Sequence, residues 1–181
     1  MNFLIFLLAF IFCLFSVIGY GYIFNNIFLK KYKIENHLIY NGFYGLALIS
    51  LISLITSIFM PHNYFHNIIL HLIGLISFFF LDKFNFKYKK GILLISLLVF
   101  LLLLISKTNE DFPYYHLPFV NYLVEQKIVF GMGNINHGYN YISSFLFLSS
   151  TFYLPFIDIY SFHFSAIFFL IFFNYLLLVE L

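Results

Sequence analysis

The chain has 181 residues, 63% of them hydrophobic and only 9% charged, with a formal net charge of +2. Soluble domains carry about 25% charged residues, and so few charges cannot cover a water-facing surface. A soluble enzyme, a disordered linker and a free nucleic-acid binder are therefore excluded, and the expected fold is an all-α polytopic transmembrane bundle forming a single domain over 1–181.

The excess charge is too small to attract nucleic acid. Cys13 is the single cysteine, so an intramolecular disulfide framework and a cysteine zinc site are also excluded. All nine basic residues are lysines, and the bias toward Phe, Ile, Asn, Lys and Tyr suggests an AT-rich bacterial genome.

A helix needs about 20 apolar residues to cross a bilayer. In chain order the expected spans are Phe3–Phe24, Leu38–Met60, Tyr64–Leu81, Gly91–Ser106, Tyr139–Phe156 and Ile159–Val179, about six in all. The first lacks a basic leader and a small-residue cleavage site, so it reads as a retained helix and not a signal peptide. The third and fourth are short, and the runs do not alternate as barrel strands would. Pro61 and Pro155 close the second and fifth. The sixth ends at Glu180–Leu181, a pattern expected of the N-terminal part of a longer protein.

Lysine placement orients the bundle. Lys30, Lys31 and Lys33 follow the first span, and Lys83, Lys87, Lys89 and Lys90 follow the third, so that side is expected in the cytoplasm. The turn Pro61–Asn63 and the segment 107–138 then fall outside. This external loop between spans four and five concentrates the polar chemistry.

Within the loop, Pro118 suits the first position of a helix. Phe119, Val120, Leu123 and Val124 share one face, and Asn121 and Glu125 the other, as in a helix lying on the membrane surface. Gly131 and Gly133 are expected to end it and to allow a tight turn. Glu110 and Asp111 follow span four, where carboxylates can take a proton from a hydroxyl or help hold a divalent cation. His116 lies within reach through the Pro113 turn. The stretch Gly131–Gly138, with Asn134, Asn136 and His137, offers backbone amides to an anion such as phosphate.

Other polar residues have plainer readings. His62 and His66 share a helical face and could hold zinc, but they read first as a polar turn with His71 packed inside the bundle. Asp158 is expected in a cytoplasmic loop between the last two spans, without lysine to mark it, and His163 inside the last span. No residue is assigned as a metal ligand.

The strings Asp111-Phe-Pro-Tyr114-Tyr115-His116-Leu-Pro118 and Gly131-Met-Gly133-Asn134-Ile-Asn136-His137-Gly138-Tyr139, followed by Ser143-Ser144, resemble a family of uncharacterised bacterial multi-pass membrane proteins. Those proteins in turn resemble glycosyltransferases of the GT-C superfamily. The resemblance covers about 50 residues closely and implies a polyprenyl-phosphate-linked sugar donor used at the external face of the bacterial inner membrane. It implies Asp111 as the general base or cation partner, supported by Glu110 and His116. Tyr115, Gly133, Asn134, Asn136 and His137 would contact phosphate or sugar, and a divalent cation (Mg or Mn) would be the cofactor. In GT-C enzymes the acidic loop follows the first helix, whereas here it follows the fourth. The partners expected are membrane lipid, the lipid-linked sugar and a membrane partner subunit, with no nucleic acid. The rival readings are a transporter or flippase, which needs ionisable groups or broken helices at mid-membrane, and a non-catalytic assembly subunit.

Overall fold

The computed structural model describes residues 2–29, 38–81, 86–105, 110, 112–134, 139 and 143–180. Its helices are α1 (Phe3–Phe24), α2 (Leu38–Phe59), α3 (Tyr64–Leu81), α4 (Phe86–Ile105), α5 (Leu117–Glu125), α6 (Ser144–Ser150) and α7 (Phe164–Glu180). α1 starts on a cap, the Asn2 side chain accepting from the Leu4 amide at 3.0 Å, and runs on as a π-helical turn to Leu29. Among the described residues, four apolar helical stretches have the length to cross a membrane: Phe3–Leu29, Ile39–Phe59, Tyr64–Leu81 and Asp158–Val179. The apolar part of α4 is shorter, Lys90–Ile105.

Small residues bring the helices together. A Cβ placed on Gly19 would strike the backbone of Gly74, and one on Gly45 the backbone of Val17. α1 therefore lies almost backbone to backbone against α3 on one side and α2 on the other. Lipid tails are as apolar as leucine, so association in a membrane depends on such close packing and not on burial from water. Phe12 meets His71 and Tyr22 meets Phe78, so α1 and α3 run parallel; Gly21 faces Asn41 and Gly45 faces Val17, so α2 runs against them.

Phenylalanine fills the space between α1, α4 and α7. The Phe10 ring lies 4.9 Å from Phe100, 5.4 Å from Phe164 and 5.2 Å from Phe168. Phe6 also meets Phe100 and Phe164, while Gly91 meets Tyr175 at the far end. α7 is thus parallel to α1, and α4 runs opposite to both. The Pro61–Asn63 turn, α5 and the chain around 151–163 gather at one end of the bundle, called the turn end below. The finish of α3 and the start of α4, with exposed Lys90, lie at the other.

One element departs from the sequence reading. The stretch expected to form a fifth span contains α6, which has seven residues. At 1.5 Å per residue it rises about 10 Å, a third of the ~30 Å hydrocarbon core. The chain then turns through Thr151–Phe162 before α7 begins, and among the described residues four helical stretches, not six, are long and apolar enough to cross a membrane. The cause lies in Ser149-Ser150-Thr151 and Pro155, which end the helix inside protein.

Candidate functional site

The end of α6 would leave a row of carbonyl groups without partners inside the bundle. Its own side chains take the first ones. The Ser150 hydroxyl donates to Phe147 O at 2.7 Å and the Thr151 hydroxyl to Leu148 O at 2.7 Å. α3 supplies the next donors. Asn67 Nδ2 lies 2.9 Å from Ser150 O, 2.9 Å from Tyr153 O and 2.8 Å from His62 O. His71 Nε2 lies 3.1 Å from Thr151 O. Ser161 donates to Phe152 O at 2.6 Å. Asn67, His71, Ser150, Thr151 and Ser161 are all buried. Non-helical backbone is tolerated at membrane depth where protein groups satisfy it in this way.

The histidines take part as hydrogen-bonding rings. Thr151 O can only accept, so His71 carries its proton on Nε2, and in the neutral ring Nδ1 accepts from the Ser16 hydroxyl at 3.0 Å. The Ser150 hydroxyl spends its proton on Phe147, so its oxygen accepts from His62 Nδ1 at 2.6 Å. His62 Nε2 lies 3.1 Å from the Thr56 hydroxyl, which also lies 3.3 Å from Ser53 O. Burial, reinforced by the neighbouring His66, lowers the His62 pKa to about 3, so the ring is neutral at physiological pH. His66 stacks on His62 with ring centres 4.8 Å apart and bonds Asn67 Oδ1 through Nδ1 at 2.8 Å. The plainer reading of these histidines as a polar turn, with His71 packed inside, describes what they do.

Outside this network, at the rim of the turn end, stands a carboxylate. Tyr64 donates a short hydrogen bond to Asp158 Oδ1, and its hydroxyl lies 3.0 Å from that of Tyr153. The two tyrosine rings stack nearly parallel, 4.6 Å apart with 5° between their planes. Asp158 has φ +44° and Phe156 has φ +70°. The left-handed region is uncommon for side chains other than glycine and exceptional for one as bulky as phenylalanine.

α5 covers the same end. Phe119, Val120, Leu123 and Val124 are buried, and Glu125 is exposed, as the sequence pattern requires. Pro118 stands in its first turn. Phe119 and Leu123 pack on Phe147 and Leu54; Val120 and Val124 pack on Phe162. Leu123 O accepts from the His62 amide at 2.8 Å, and the Ile128 amide caps Ser57 O at 2.8 Å. α5 stops at Glu125 because Gln126 turns to extended backbone, earlier than the expected stop at Gly131. Gly131 does form a tight turn, with φ +88° and its carbonyl accepting from Asn134 N at 3.0 Å.

The whole length from residue 3 to 181 matches the sequence model of the family described as Domain of unknown function (DUF8201). The chain belongs to this family. No curated protein and no solved structure matches it.

In this DUF8201 chain the residues expected to act are distributed as follows. Glu110, Tyr115 and His116 are exposed at the turn end, on the approach to α5. Phe112, in the same π-helical turn as His116, lies 4.6 Å from the His163 ring, which fixes this approach beside the start of α7. Gly133 is half-buried and Asn134 exposed. Asp111, Asn136 and His137 lie outside the described residues. The six-span reading puts the Asp158 turn on the cytoplasmic side, opposite Pro61–Asn63, whereas its bond to Tyr64, 94 positions away, sets it at the same end as that turn because α6 does not cross the bundle. Among the described residues, no group of three His, Cys, Asp or Glu is arranged to hold a metal ion.

Proposed function

We propose that this chain is a membrane glycosyltransferase-like protein of the bacterial inner membrane. It uses a polyprenyl-phosphate-linked sugar donor at the turn end, on the external face. The observation that carries this reading is α5, which lies with its apolar face in the bundle while Glu110, Tyr115 and His116 stand exposed beside it. That arrangement offers polar groups at the boundary where a lipid-linked headgroup emerges. Asp111 acts as the general base, with Glu110 and His116 in support. Tyr115, Gly133, Asn134, Asn136 and His137 contact phosphate or sugar.

In this scheme the base takes the proton from an acceptor hydroxyl, and that oxygen forms a bond to the anomeric carbon. The bond from that carbon to the phosphate oxygen breaks, and the lipid phosphate leaves with the electron pair. A divalent cation (Mg or Mn) beside the carboxylates would offset charge on the leaving phosphate.

The broken helix α6 favours a second reading, since transporters often build their sites from discontinuous helices. One assay separates the two. Vesicles containing the protein are given polyprenyl phosphates bearing labelled hexoses, together with a glycan acceptor. The transferase reading expects label on the acceptor, with a fall of about a hundredfold or more for Asp111→Asn. A flippase moves the intact labelled lipid between leaflets without joining, and that result overturns the transferase reading.

A further inference from the structure

We infer that Asp158, held by Tyr64 and Tyr153, grips hydroxyl groups of the sugar carried by the lipid donor. The inference rests on the transferase reading and names the sugar-facing carboxylate within it.

Asp158 stands at the rim of the turn end and is partly exposed. Among the described residues, the hydrogen bond it receives comes from Tyr64 and reaches Oδ1, which leaves Oδ2 for another donor. An ionised carboxylate accepts strongly from hydroxyl groups, and an array of hydroxyls is what a sugar presents. The supporting geometry is fixed on both sides. The Tyr64–Tyr153 stack holds the phenol that orients the carboxylate. The backbone has positive φ at both Phe156 and Asp158; aspartate tolerates this, but a residue as bulky as phenylalanine seldom does, and such outliers cluster at functional sites.

The surroundings suit the same ligand. Phe156 is 80% exposed and Tyr160 57% exposed, flanking the carboxylate in sequence. Such rings offer flat apolar faces to the C–H side of a sugar while the carboxylate takes its hydroxyls. The Phe112–His163 contact sets the approach to α5 beside the start of α7, five residues after Asp158 in the chain.

The bland alternative is that Asp158 only anchors Tyr64. Asp158→Asn separates the two, because the amide oxygen still accepts from Tyr64 while the charge is gone. The full chain in lipid nanodiscs is titrated with polyprenyl phosphate and with a panel of polyprenyl phosphates bearing different hexoses. The wild type is expected to prefer one sugar-bearing lipid by about tenfold or more, the scale of a charge-assisted hydrogen bond. Asp158→Asn is expected to lose that preference and still bind the sugar-free lipid as the wild type does. Tyr64→Phe, which keeps the stacked ring and frees the carboxylate, is expected to reduce the preference severalfold and serves if the Asn variant does not fold. Preference retained in both variants overturns the inference and leaves the transferase reading standing. A wild type that binds neither lipid overturns both.

Discussion

His71 Nε2 donates to the carbonyl of Thr151 across 3.1 Å, joining the second turn of α3 to the residue that ends α6. The two are 80 positions apart. One turn earlier, Asn67 reaches three more carbonyls of the same end of the bundle. A helix that stops inside the bundle is sustained by donors on its neighbour.

The first prediction concerns this cap. Asn67→Leu preserves volume roughly but removes the donor to the carbonyls of His62 and Tyr153 and leaves Ser150 O with the Tyr153 amide alone. Each buried unsatisfied group costs about 1–3 kcal/mol, so the variant is expected to lose several kcal/mol. Thermal melting in detergent, followed by circular dichroism, reads the loss. A melting temperature equal to wild type would mean that the α6 end does not depend on α3.

The second concerns the contact between α1 and α3. Gly74→Val would place side-chain carbons against the Ser16 backbone and the Tyr20 ring. Overpacking of this kind costs typically about 1–3 kcal/mol, and more where backbone must move. Reduced yield of folded protein and a lower melting temperature are expected, with Gly74→Ala affected less. Unchanged stability for the valine variant would contradict the close approach of the two helices.

The third is a pH dependence. His62 has a pKa of about 3 in the folded protein and about 6.5 in an exposed chain. Between these values the unfolded state binds the proton and the folded state does not. Its contribution to stability is therefore complete above about pH 6.5 and declines as pH falls toward 3. Melting temperatures recorded from pH 7.5 to 4 are expected to fall, and the fall is expected to be shallower in His62→Gln. Parallel profiles for the two proteins would show that His62 is not held neutral by its surroundings.

Much of this was legible in the sequence because its cause is local. Apolar run length marked α1, α2 and α3 to within a residue or so, and helical spacing picked out the buried face of α5 from Phe119 to Val124. The fifth span failed because run length records apolar content and not where backbone groups find partners. Ser149-Ser150-Thr151 looks like any small polar interruption until Asn67 and His71 arrive from another helix. The Asp158–Tyr64 pair is invisible for the same reason. Gly19 and Gly74 each pack on a different helix, so neither forms a spaced motif within its own.

A turn end that is the external working face of a membrane bundle must be reachable from outside the cell, and its sidedness is the most direct test. Cys13 is fully buried and the single cysteine, so Cys13→Ser provides a cysteine-free background. Asn63→Cys places a thiol at the turn end and Lys90→Cys one at the opposite end, both at exposed positions. Intact bacterial cells expressing each are treated with a membrane-impermeant maleimide. Labelling of the Asn63→Cys protein from outside, with Lys90→Cys labelled only after the membrane is opened, is the predicted result. The reverse pattern would place Glu110, Asp158 and α5 in the cytoplasm and contradict a reaction at the external face.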